Sequence, residues 1–278
     1  MACRRAPLRR ARRTIAYDRR GYGLTRADPE DHAQVADLLA VLEALTDGEP
    51  AILVGASAGD RVALDMALLH PARVRALVLV APNIAGAPAP VYDPPVQAQM
   101  DELRQAEAAG DMERVNRCKA RQLLDGVLAA EGRVTGETRT LFLDMNGIAL
   151  RASPGGQALE PAPAYPRLAD VAAPTLVAWG DLDFPHVQER SRHAARTIPG
   201  AEAREFVGAG HLPSLEDPPA LPRCSTTSSC AAPPWADAGQ TRYACPSPPA
   251  SPSAPAGAAS SASRAQRSWS RHCPSIRR

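Results

Sequence analysis

The 278-residue sequence predicts an α/β fold: a mainly parallel, doubly wound sheet with a helical cap and a disordered C-terminal tail. Three observations carry that expectation. Between Thr14 and Phe206, short apolar runs (TIAY, AILV, ALVLV, TLVAW, AREFV) alternate with helical patterns such as VADLLAVLEAL and RVALDMALL, as βαβ units on a parallel sheet do. From about Tyr92 to Tyr165 the strand pattern stops and helical segments take over. From Leu221 onward there is one acid, Asp237, a single Leu, a single Ile and no Val or Phe, too little apolar surface to offset the entropy of ordering the segment.

Residues 1–13 read as a disordered, Arg-rich leader, because the first 20 residues hold eight arginines and Asp18 is their only acid. MACRRAPLRRARR runs into TIAYDRRGYG with no apolar stretch behind it, which argues against a signal or transit peptide. Residues 14–91 form the first part of the core. In it TIAY is a strand, and the continuously apolar run Ala51 to Val54 reads as a central strand buried on both faces, with helices covering both sides. The pattern Arg61 to His70 is a helix and Ala76 to Val80 the next strand. Residues 92–165 are the helical cap, with VQAQMDELRQAEAAG and DMERVNRCKARQLLDGVLAAEG as its helices. Residues 166–220 complete the core with strands Thr175 to Trp179 and Arg204 to Val207, and residues 221–278 are the low-complexity tail.

Size and composition narrow the function. A chain of this length can bury the core of one catalytic domain. Of six cysteines, four lie in the tail and only Cys118 in the globular middle, so no disulfide framework is expected. No run of 18 apolar residues exists, which argues against a membrane span. Net charge is only +2, and the tail's arginines come with no recognition motif, so no specific nucleic-acid partner is expected. Neither cofactor nor metal is expected, and the expected location is cytoplasmic.

The chemistry centres on Gly55-Ala56-Ser57-Ala58-Gly59, a G-x-S-x-G between a strand and a helix. A serine on that sharp turn is held in strained backbone, and flanking glycines admit a close approach of strand and helix. Its hydroxyl projects above the sheet, where the Ala58 amide at the helix start points at a developing oxyanion. The hydroxyl needs a base to take its proton, and the base needs an acid to orient it. Two candidates follow strands: Thr175 to Trp179 ends in Gly180-Asp181-Leu182-Asp183, and Arg204 to Val207 ends in Gly208-Ala209-Gly210-His211. The other titratable residues have plainer readings. His70, before Pro71, reads as a helix-end cap, His32 as first-turn helix surface, and His186 and His193 as solvated. Asp18, Arg19 and Arg20 read as loop braces.

YDRRGYG at 17–23, GASAG at 55–59, HPARVRALVLVAP at 70–82, GDLD at 180–183 and GAGHLPSLEDP at 208–218 together resemble the landmarks of the α/β-hydrolase family, of the serine esterase and lactonase kind. The resemblance implies the chain order serine, acid, histidine: Ser57 as nucleophile, Asp183 as triad acid with Asp181 as runner-up, His211 as general base and the Ala58 amide as oxyanion donor. It implies cleavage of an ester, lactone or similar small acyl substrate. A cofactor-free haloperoxidase and a carbon-carbon bond hydrolase use the same serine on this fold, whereas dehalogenases and epoxide hydrolases want an aspartate there.

The sequence also departs from the family. Asp60 stands where a further glycine is usual, and no His-Gly pair supplies a second oxyanion donor. The strands before TIAYD and the closing helix after HLPSLEDPPA have no counterpart, so a truncated, inactive relative is the competing expectation. Residues after about Ala220 read as a frame-shifted extension or as a genuine low-complexity tail.

Overall fold

The computed structural model describes residues 14–216 except 24, 26, 27, 153–155 and 160. The Arg-rich leader and the tail, with its frame-shift reading, lie outside the described residues.

Strands β1 (Ala51–Ala56), β2 (Val74–Val80), β3 (Thr175–Gly180) and β4 (Glu202–Phe206) form one parallel sheet, in the same order in space as in the chain. The register sets Val54 beside Val78, Leu79 beside Val177 and Ala178 beside Arg204. Parallel neighbours need a crossover between them. Helix α2 (Ala58–Leu69) returns β1 to β2, and α6 (Pro185–Thr197) returns β3 to β4. Between β2 and β3 run α3 (Pro94–Ala108), α4 (Met112–Lys119), a π-helical turn at Ala120–Gly126 and α5 (Gly136–Leu150). A last short helix, α7 (Pro213–Glu216), follows β4.

Because β2 and β3 have a strand on each side, their apolar side chains are almost wholly buried, and Leu77, Leu79 and Val177 have no exposed surface. Each such side chain contributes about 1.5–3 kcal/mol of burial free energy. The run AILV fares differently from its expected central place. Among the described residues β1 pairs only with β2, and Val54 stays 47% exposed. The reason lies in TIAY: Thr14 to Tyr17 carries no strand, since a β-strand exists only with a ladder partner, and none lies beside it among the described residues.

The sheet's two faces are also unequal. One packs Leu53, Leu77, Leu79, Val177 and Trp179 against α2, α6 and α1 (Gln34–Thr46). The other gathers Ala76, Val78, Val80, Leu176 and Ala178 with Phe206 and Ala209, and no described helix joins that cluster. The expected helical cover is therefore present on one face among the described residues.

Helix α1 buries Val35, Leu38 and Leu42, the i, i+3, i+7 stripe of an amphipathic helix, and stops where Asp47 and Gly48 turn left-handed at φ 51° and 87°. Its start is tied to the preceding loop. The Arg20 guanidinium donates to Asp37 at 2.8 and 3.0 Å and to Glu30 at 2.7 Å, while Arg19 donates to Gln34 and lies over the Tyr22 ring. His32 is not in the first helical turn. It precedes α1 as an extended bridge to Ala158, its N–H donating to the Gln157 carbonyl.

Candidate active site

Ser57 occupies the junction of β1 and α2 with φ 52° and ψ −110°, a backbone conformation that costs a non-glycine residue about 1–3 kcal/mol and needs surrounding contacts to persist. Those contacts are present. The Ser57 N–H donates to the Val80 carbonyl at 3.0 Å, and its own carbonyl accepts from Asp60 N–H at 3.1 Å. Although Ser57 is the N-cap of α2, its hydroxyl makes no capping hydrogen bond, in contrast to the usual habit of a serine there.

The two glycines of the motif are not equivalent. A Cβ on Gly55 would sit 2.6 Å from Asp60 N and from the Gly59 carbonyl carbon, so only glycine fits between strand and helix. A Cβ on Gly59 would meet nothing within 4 Å.

Asp60 lies beneath this turn, 1% exposed. Its Oδ1 accepts from Val80 N–H at 3.1 Å, while Oδ2 has no hydrogen-bond partner. Burial pushes the carboxyl well above its ordinary range, against the opposing pull of the Val80 and Ser57 backbone N–H groups.

At the same carboxyl edge of the sheet, β3 and β4 deliver the second cluster. Asp183 is fully buried and His211 is 6% exposed, and His211 Nδ1 lies 2.8 Å from Asp183 Oδ2. A carboxylate oxygen only accepts, so Nδ1 is the donor, and in the neutral tautomer of the ring that makes this contact Nε2 is the acceptor. Asp183 is held in turn: its Oδ1 accepts from Phe184 N–H at 2.7 Å, and its carbonyl accepts from Gln188 Nε2 at 2.9 Å. The two loops touch so closely that a Cβ on Gly180 would run into the carbonyls of Ala209 and Gly210. Asp181 faces elsewhere and accepts from Gly208 N–H at 2.7 Å. Among the described residues no hydrogen bond joins the Ser57 hydroxyl to His211.

Residues that sequence reasoning set aside also gather here. His186 is half-buried rather than solvated, with its ring 5.5 Å from Tyr92 and 5.3 Å from Phe184. Its Nδ1 is buried without a partner. Burial, then the nearby Arg190 and His211, pull its pKa down to about 4 against the opposing charge of Asp183, so the ring is neutral near pH 7. Beside it, Ala81, Val96, Val127, Phe184 and Val187 form an apolar cluster. The one mark His186 carries in the sequence is that it follows Asp183 by three residues, at the start of α6. His193 stacks on Tyr165 at 4.5 Å, away from solvent on one ring face. His70 ends α2, its N–H donating to the Met66 carbonyl.

Among the described residues, no group of three or more His, Cys, Asp or Glu has the geometry to hold a metal ion. No described helix is long and apolar enough to cross a membrane, and Cys118 is buried as a free thiol.

The sequence profile described as "Alpha/beta hydrolase family" matches residues 4–221. No curated protein matches the chain. Among solved structures, the esterase RhEst1 from Rhodococcus sp. ECU1013 is 24% identical with a TM-score of 0.54, covering 72% of this chain and 73% of its own. A hydrolase from Pseudomonas aeruginosa PA01 is 24% identical with a TM-score of 0.53, covering 72% of each chain. A bromoperoxidase from Bacillus anthracis is 22% identical with a TM-score of 0.53, covering 72% of this chain and 75% of its own. At these identities the likeness speaks for the fold alone.

Proposed function

The chain belongs to the alpha/beta hydrolase family, and from that premise we propose that it cleaves an ester, lactone or similar small acyl substrate through Ser57, His211 and Asp183. The observation that carries this reading is the 2.8 Å hydrogen bond between His211 Nδ1 and Asp183 Oδ2, at the sheet edge that also bears Ser57. It selects, for the neutral ring, the tautomer whose Nε2 is free to accept a proton, as a general base must be.

In the reaction, His211 Nε2 takes the Ser57 hydroxyl proton as Oγ attacks the substrate carbonyl. The Ala58 N–H, at the first position of α2, stabilises the resulting oxyanion, with the positive end of the helix behind it. His211 then returns the proton to the leaving alkoxide, which departs and leaves an acyl group on Ser57. Water, deprotonated by His211, attacks that ester, and His211 returns the proton to Ser57 Oγ as it departs, which releases the carboxylic acid and restores the serine. Asp183 holds the imidazole in its tautomer and offsets the charge it acquires. The helical segment between β2 and β3 acts as the cap, and its apolar residues Val96 and Val127 pack with Phe184, the neighbour of Asp183, so that the cap stands against the proposed triad.

The test is hydrolysis of a short-chain nitrophenyl ester by folded protein, with turnover abolished in Ser57→Ala. One observation favours a second reading, a catalytically silent relative: β1 has an unpaired edge among the described residues, with Val54 exposed. Folded protein without turnover selects that reading.

A further inference from the structure

The loop that carries His211 is gripped at four successive backbone positions. The Gly208 carbonyl accepts from the Arg133 guanidinium at 2.8 Å. The Ala209 carbonyl accepts from Leu182 N–H at 2.9 Å. Gly210 N–H donates to Glu216 Oε1 at 2.8 Å, and His211 N–H donates to the Leu123 carbonyl at 3.2 Å. Two of the four grips come from the segment between β2 and β3, and a third, Glu216, is itself bound by that segment.

Arg133 is the piece common to these contacts. Besides Gly208, its guanidinium donates to the Asp125 carbonyl at 2.7 Å, to the Leu124 carbonyl at 2.8 Å and to Glu216 Oε2 at 2.6 Å. One planar fork therefore joins the π-helical turn Ala120–Gly126, the start of the His211 loop and α7 behind it. The turn is itself anchored. Asp125, fully buried, accepts from the two terminal guanidinium nitrogens of Arg139 at 2.8 and 3.0 Å and from the N–H groups of Gly132 and Val134. Its position is close-set as well: a Cβ on Gly126 would lie 2.6 Å from the Leu182 carbonyl oxygen, and one on Gly210 would lie 3.1 Å from that of Leu124.

We propose that Arg133 is a positioning residue for His211, through which the helical segment between β2 and β3 sets where the base stands. The inference rests on the reading of His211 as general base. Only a planar fork suits this place, because a lysine ammonium, a compact point charge on a flexible stem, does not span acceptors on three separate segments. Small displacements of a base are costly: a misplacement of roughly 1 Å costs on the order of a hundredfold in rate.

The experiment compares the full chain with Arg133→Ala, Arg133→Lys and Glu216→Gln by two readouts. The first is nitrophenyl ester kinetics. The second, independent of turnover, is the downfield proton resonance of His211 Nδ1–H bonded to Asp183. For Arg133→Ala the expected result is kcat lowered by about ten- to a hundredfold, as for other outer contacts that orient a reactive group, with KM changed by less than twofold and the resonance broadened or shifted. Arg133→Lys does not restore either. Glu216→Gln, which keeps the shape, shows a smaller change of the same kind and serves if Arg133→Ala fails to fold. Folded variants with unchanged kcat and unchanged resonance overturn the proposal. If even the unsubstituted protein lacks turnover, the hydrolase reading fails, while the resonance still decides whether Arg133 positions His211.

Discussion

Val80 and Asp60, twenty residues apart in the chain, are joined by a 3.1 Å hydrogen bond from the Val80 N–H to the Asp60 carboxylate. Since the Val80 carbonyl also accepts from Ser57 N–H, the last residue of β2 holds both the strained serine turn and the buried acid beneath it. Ser57, Asp60 and Val80 thus form a closed set of backbone and side-chain contacts that keeps φ of Ser57 at 52°.

This arrangement makes stability depend on the charge of Asp60. Its carboxyl is raised above the ordinary value of 3.8 chiefly by burial, so its stabilising contribution is complete below that value and is lost as pH rises through the raised one. Asp60→Asn cannot ionise. Thermal melts from pH 4 to pH 8 are expected to favour the Asn variant increasingly as pH rises. A difference that stays constant with pH contradicts the account. Asp60→Ala, which leaves Val80 N–H buried without an acceptor, costs about 1–3 kcal/mol relative to Asp60→Asn at any pH.

His186 works in the opposite sense. Its pKa is depressed to about 4 from 6.5, chiefly by burial, so its contribution is present above 6.5 and is lost as pH falls through about 4. The loss is on the order of 1–2 kcal/mol once solvent screening of the half-exposed ring is allowed for. In His186→Phe the acid-side loss of stability between those pH values shrinks. Denaturant midpoints at pH 7, 5.5 and 4 measure this, and equal slopes in both proteins would count against it.

For the proposed reaction, Asp183 and Asp181 are expected to part company. Asp183→Asn disturbs the tautomer of His211 and lowers kcat by about four orders of magnitude. Asp181→Asn, whose oxygen serves the Gly208 N–H, lowers it by less than about tenfold, since that contact orients a turn and touches no reacting atom. Ester kinetics on the two variants separate the roles, and similar losses in both would contradict the assignment.

The glycines flanking the serine give a stability test that needs no substrate. Gly55→Ala forces Cβ against the backbone of Gly59 and Asp60 and costs about 1–3 kcal/mol or more. Gly59→Ala adds a methyl in open space within α2 and stabilises by about 0.4–1 kcal/mol. Equal effects at both positions would mean that the close approach at Gly55 is absent in solution.

Much of this molecule was legible without coordinates. The runs AILV, ALVLV, TLVAW and AREFV became the four strands of the described residues, because short apolar stretches between helical patterns leave few alternatives to a parallel sheet. VADLLAVLEAL became α1 because its apolar period is helical. TIAY did not become a strand, for strand formation depends on a neighbour that no local pattern supplies. The same limit placed AILV at the centre of the sheet, whereas among the described residues it stands at an edge.

The sequence by itself determined the order of the candidate residues: a serine on a G-x-S-x-G turn, then Asp183 and His211, each just past a strand. Only the tertiary structure decided that Asp183 rather than Asp181 meets His211, because the choice depends on which carboxylate turns toward the neighbouring loop. It also decided that Asp60 is buried and His186 half-buried, and that Arg133 ties two other segments to the His211 loop. Most of those facts arise from contacts between residues 20 or more positions apart, which no motif spacing encodes. At the serine turn, local sequence set the shape and a distant strand end, Val80, holds it there.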